Sequence, residues 1–142
     1  MPGYTVQLSR RVAFAAAHRY RRPDWSDERN RAVFGACAHP NYHGHGYECT
    51  VTIRGAIDDA TGMIVDLGAL DRILHDEITA RFDHRNINLD VPEFADGRLI
   101  PTGENIARFI FERLQPRLPG GVVLVRVDLA EDDALSATVE AR

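Results

Sequence analysis

The chain has 142 residues, 44% apolar and 27% charged, enough to bury one core without staples and too apolar for a disordered segment. Its net charge of -4 leaves no basic footprint for nucleic acid, and no apolar run approaches the roughly 20 residues of a membrane span. The opening MPGYTVQLSRR carries no apolar signal core and two cysteines make no disulfide framework, so one domain, 1–142, in the cytoplasm is expected.

All 17 basic residues are arginine, which excludes a lysine Schiff base or a lysine general base. Along the chain, TVQLSRRVAFAAAH (5–18) mixes β-branched and aromatic residues in rough alternation and predicts a first strand. The polar stretch RYRRPDWSDERNRAVFG then predicts a long excursion with a short helix at 27–34. GYECTVTIRGAI alternates cleanly, with Tyr47, Cys49, Val51 and Ile53 on one face and Glu48, Thr50, Thr52 and Arg54 on the other: a second strand.

DATG (59–62) is turn chemistry. After it Leu67, Leu70, Ile73, Leu74 and Ile78 recur at helical spacing, with Asp66 as N-cap. A second helix runs from about Gly103 to Leu114, started by Thr102 and stopped by Pro116 and LPGG. VVLVRVDLA and SATVEA supply two more strands. The order is ββααββ, an α+β domain with a four-stranded antiparallel sheet and two helices on one face. The partly polar second face and open strand edges predict an assembly that closes the sheet.

Chemistry concentrates in CAHPNYHGH (37–45). Residues i and i+2 of a strand share a face about 6.6 Å apart, so His43 and His45 can aim at one ion, with Gly44 clearing the space between. His18 completes the set if the first strand pairs with the second. Three imidazoles suit zinc and leave a fourth position open, the catalytic pattern. By itself an H-x-H is a weak signal, and a closed structural site with Cys37 as fourth ligand is the other arrangement the spacing allows. Three further motifs stand out: Asp83 and His84 in FDHRN, Glu104 behind Thr102 in PTGEN, and Glu131 in LAEDD. Alone, each is unremarkable as a helix end, a helix-dipole acid or a turn acid. His39 and His75 read as ordinary surface residues.

Taken in order, FAAAHRY, SDERNRAVFGACAHPNYHGHGYECTVTIRG, DATGMIVDLGAL, FDHRNIN, PTGENIA and LAEDD resemble the 6-pyruvoyl-tetrahydropterin synthase family, which includes the bacterial 6-carboxy-tetrahydropterin synthases. The resemblance spans nearly the whole chain. It implies the tunnelling fold, a ββααββ unit whose trimers close a twelve-stranded barrel, with two trimers stacking as a homohexamer. It implies Zn2+ on His18, His43 and His45, a catalytic Cys37 served by the Asp83–His84 pair, and a pterin site made by Glu131 with Thr102 and Glu104. Such a Cys37 would be a base of lowered pKa rather than a ligand.

The implied reaction is a zinc-dependent carbon–oxygen lyase acting on 7,8-dihydroneopterin triphosphate, with no redox cofactor. The carboxy product of the 7-deazaguanine (queuosine) branch is the first expectation and the pyruvoyl product the alternative. A pterin-binding or structural-zinc protein without catalysis is the reading from a different class. Five residues, Ala38 to Tyr42, separate Cys37 from His43. That is the longer spacing, common among pyruvoyl enzymes.

Overall fold

The computed structural model describes residues 3–142. Its elements in chain order are β1 (Gln7–His18), α1 (Asp27–Phe34), β2 (His43–Arg54), α2 (Leu67–Leu74), α3 (Ala80–Phe82), β3 (Arg85–Asn86), α4 (Ile87–Asp90), α5 (Gly103–Leu114), β4 (Val123–Ala130) and β5 (Ser136–Glu140). The sheet order is β3-β1-β2-β4-β5. The expected antiparallel set β1-β2-β4-β5 is present, but the sheet has five strands rather than four. The fifth, β3, adds to β1 in parallel through Ala16–Arg85 and Ala17–Asn86. A two-residue strand carries no alternation, so sequence pattern could not announce it.

The caps follow their side chains. Ser26, Asp66 and Thr102 each accept a backbone N–H three residues on, at Arg29, Ala69 and Asn105, and so fix where α1, α2 and α5 begin. β2 begins at His43, three residues earlier than the alternation in GYECTVTIRGAI suggests, and this draws both histidines of H-G-H into the strand.

The predicted core face holds. Tyr47, Cys49, Val51 and Ile53 are buried, facing Phe14 and Ala16 of β1, Leu124, Val127 and Leu129 of β4, and the apolar sides of α2 and α5. The opposite face is polar in part: Arg11 bridges Glu48 at 3.3 Å and Arg126 bridges Asp128 at 2.8 Å. Thr52 departs from expectation, being buried and bonded to Ser9 at 2.9 Å. Among the described residues β1, apart from its last few residues, has β2 as its one neighbour, and β5 forms the other edge.

Beyond α2 the helical path widens into a π turn, His75–Thr79, before α3. This turn carries Glu77, only 4% exposed, against Arg81 (3.0 Å), Arg113 (3.1 Å) and Arg117 (3.2 Å). Burial alone would raise this carboxyl, but bonds from Arg113 and Arg117 and the charge of Arg81 hold it below its ordinary value. A depressed carboxyl stabilises the fold above its unfolded pKa and loses that contribution as pH falls through its folded value. Glu77→Gln is therefore expected to cost about 3 kcal/mol at pH 7, the scale of breaking a buried ion pair, and less toward pH 3. Chemical denaturation of both proteins at pH 7 and pH 3 checks this; an equal cost at both would show that the charge is not responsible.

Candidate active site

Strand register builds the centre. β1 and β2 run antiparallel with His18 opposite His43 and Ala16 opposite His45, so the three histidines meet at one end of the core face. One ring nitrogen from each lies within 4.8 Å of the others, and His18 Nε2 stands 3.1 Å from His45 Nε2. Nitrogens bound tetrahedrally to one zinc would be roughly 3.3 Å apart, so the His18–His45 pair already sits near ligating distance.

The tautomers suit that role. His18 Nδ1 lies 2.8 Å from the Pro101 carbonyl, which can only accept, so Nδ1 carries the proton and Nε2 presents a lone pair to the cluster. Burial holds His18 down to about 4, with the Pro101 bond opposing and His43 and His45 reinforcing. Burial and His45 likewise lower His43. The lowered values favour neutral imidazoles at His18 and His43, the form that ligates a metal, and the three-histidine donor set fits zinc. Tyr47, 1% exposed, sets its hydroxyl 3.1 Å from His18 Nδ1 and 3.2 Å from Nε2, and stacks its ring on Phe14 at 4.8 Å.

Cys37 sits in a 3-10 turn, Gly35–Ala38, tied to β1 by the Tyr20 N–H donating to its carbonyl at 2.8 Å. It is not part of the close donor group that the three histidines form. The expected low pKa does not come from the protein's own groups. Burial, then the Glu131 charge, push the thiol up.

Glu131, directly after β4, is 8% exposed with Oε1 buried and unbonded. Burial raises its carboxyl, His45 opposes, and Glu104 and Asp132 reinforce. Space for it is made by Gly103, where any Cβ would come within 2.9 Å of Oε1. Thr102 spends its hydroxyl capping α5 at 3.1 Å from Asn105 N, while Glu104 stands exposed in the first turn. Tyr20 ties this neighbourhood together. Its ring meets His18 edge-on at 5.3 Å, and burial, then the charges of Glu131, Cys37 and Glu104, push its hydroxyl pKa up.

Asp83 and His84 pair as expected, Oδ2 to Nδ1 at 3.0 Å. Asp83 Oδ1 also accepts the Ala15 N–H at 3.0 Å, and that bond, then His84, holds its carboxyl low. His84 adopts a left-handed φ of 58°, with its side chain 84% exposed. It lines an open cavity of about 640 Å³ with Ala15, Ala17, Gly44 and Gly46, and with Ala16 and the candidate ligand His45. Among the described residues no bond joins this pair to Cys37, so within one chain the relay and the thiol stay apart.

Tyr20, Tyr47, Pro101 and Gly103 escaped the sequence reading as site residues. All four lie inside quoted motifs, FAAAHRY, GYECTVTIRGAI and PTGEN, but nothing in a tyrosine, proline or glycine alone marks it as a neighbour of histidine or glutamate. Tyr47 read only as core.

The geometry defines an α+β domain with three histidines placed so that they could hold one metal ion, beside a buried carboxylate whose Oε1 has no partner and a half-buried thiol. The profile of the family described as 6-pyruvoyl tetrahydropterin synthase matches residues 7–142, and the chain belongs to this family. The 6-pyruvoyl tetrahydrobiopterin synthase of Pongo abelii is 46% identical over 128 residues, covering 90% of this chain and 86% of that one. The solved 6-pyruvoyl tetrahydropterin synthase of Caenorhabditis elegans superposes with a TM-score of 0.89 at 33% identity, over 98% of this chain and 97% of that one. A Halobacterium salinarum relative named "Probable 6-carboxy-5,6,7,8-tetrahydropterin synthase" is 30% identical over 145 residues, covering 93% of this chain and 85% of that one. These similarities favour the pyruvoyl branch over the carboxy branch that was the first expectation.

Proposed function

We propose that this chain is a zinc-dependent lyase that converts 7,8-dihydroneopterin triphosphate to the 6-pyruvoyl tetrahydropterin with release of triphosphate. The observation that carries the reading is Glu131: a buried carboxylate with an unbonded oxygen, held beside three converging histidines and a thiol. A buried polar atom without a partner costs stability, and a ligand with paired N–H donors would supply the partner. An amino-pyrimidine edge offers two such donors side by side, a charge-assisted clamp.

Zinc on His18, His43 and His45 would supply Lewis acidity at the substrate's side-chain oxygens. The chain's residues do the rest. Pro101 and Tyr47 fix His18; Gly103 keeps the clamp open; Cys37 takes and returns side-chain protons; Asp83 orients His84 as relay. Triphosphate leaves by elimination while hydrogen moves from the side chain to the ring, so substrate carbon is both oxidised and reduced and no external reductant is needed. The pyruvoyl product is supported by identity, 46% to a relative carrying that name against 30% to one carrying the carboxy name. The five-residue spacing between Cys37 and His43 points the same way.

Assembly follows from the separated halves of the site. His84 faces outward on one sheet face while Cys37 lies near the core face, so we propose that the relay of one subunit serves the thiol of a neighbour in a closed ring, with a hexamer of two trimers as the form. The Asp83–His84 pair, rigid through its two bonds to Ala15, is built to be presented across such an interface.

Two experiments test this. Incubation with dihydroneopterin triphosphate and mass identification of the pterin should give the pyruvoyl product without acetaldehyde; acetaldehyde and a carboxy pterin would assign the other branch. Cys37→Ala and His84→Ala chains, each nearly inactive alone, should regain activity when dissociated together and reassembled. Persistent inactivity of mixed rings that demonstrably contain both chains would place relay and thiol in one subunit.

A further inference from the structure

Tyr42 stands immediately before His43 with φ at 66°, a backbone conformation that is costly for any residue with a Cβ. It ends the turn that runs from the Cys37 segment into β2, and its N–H donates to the His39 carbonyl at 3.1 Å. What opposes the strain lies across the turn. The Arg19 guanidinium sits over the Tyr42 ring, 4.8 Å from its centroid. The same guanidinium donates through Nη1 to the Pro40 carbonyl and through Nη2 to Asp96 Oδ2, each at 3.3 Å.

Arg19 is itself anchored. Its N–H donates to Asn88 Oδ1 at 2.9 Å and its carbonyl accepts from Asn88 Nδ2 at 3.0 Å, directly after His18. The side chain thus reaches from one histidine's strand end to the turn that delivers the next. Its side chain is mostly buried, and Nε is buried with no partner, a placement that works against stability. A residue kept at such cost is better explained by what it holds in place.

We propose that Arg19 is a positioning residue: by covering Tyr42 and gripping Pro40 it holds the left-handed turn that sets His43 against His18 and His45. It touches neither metal nor substrate. The proposal rests on the three-histidine reading only for its consequence at the metal; the turn itself can be read without metal.

Glycine adopts φ 66° without strain, so the role of Arg19 should vanish in a Tyr42→Gly background. Four metal-free proteins decide this by amide hydrogen exchange: the natural chain, Arg19→Met, Tyr42→Gly and the double variant. The residue 42 amide should exchange about tenfold faster in Arg19→Met than in the natural chain. The same Arg19→Met change should alter it by less than about twofold in the Tyr42→Gly background, with Asn88 and Asp96 amides following the fold's overall stability. Zinc affinity by chelator competition should follow the same pattern. Equal acceleration in both backgrounds, or none in the first, overturns the proposal. A chain that binds no zinc overturns the metal reading and leaves the exchange result to judge Arg19. Should Arg19→Met fail to fold, Arg19→Lys, which keeps the charge and loses the fork, replaces it with the same expectations.

Discussion

The hydrogen bond from His18 Nδ1 to the Pro101 carbonyl, 2.8 Å long and fully buried, organises the molecule. It ties the end of β1 to the residue just before the Thr102 cap, and so joins the sheet that carries the histidines to the helix that carries Gly103. Because the carbonyl can only accept, the bond also decides which ring nitrogen faces the cluster. Register does the remainder: once His18 lies opposite His43, alternation places His45 one step deeper on the same face, above Tyr47. A slip by one residue would turn both histidines of β2 to the opposite face.

Against that frame of satisfied bonds the unsatisfied ones carry meaning. Glu77 is as buried as Glu131, but three arginines surround it; Glu131 has an oxygen left over. The first is structural; the second is the group that the proposed function assigns to the substrate. Cys37 shows the same economy from the other side. Its neighbours disfavour the thiolate, so the chain alone does not make it reactive, and a cation on the histidines would couple its activation to the presence of metal. The exposed His84 pairs with Asp83 and has no bond to Cys37 among the described residues, so in the proposed site its thiol partner comes from a second subunit.

Much of this was legible in the sequence. Alternation in β2, the Asp66 and Thr102 caps and the H-x-H spacing follow from local periodicity, which one chain displays openly. The parts that stayed hidden are those made by contacts between distant segments. β3 is two residues long and is a strand only because Ala16 and Ala17 lie beside it. Tyr20 and Gly103 belong to the site because β1, the Cys37 turn, β4 and α5 converge there. The strain at Tyr42 cannot be seen in a string where tyrosine in a turn looks ordinary. Glu131 reads alone as a turn acid; its burial and the missing partner of Oε1 are properties of the fold that no sequence pattern displays.

The central claim is that His18, His43 and His45 form an open metal site with Cys37 beside it and not on it. Substitution with cobalt reports this directly, because a thiolate ligand gives an intense thiolate-to-cobalt band that imidazole ligands do not. The account predicts one cobalt per chain, a visible spectrum without that band, and the same spectrum in Cys37→Ala. An intense band in the natural chain that disappears in Cys37→Ala would contradict it.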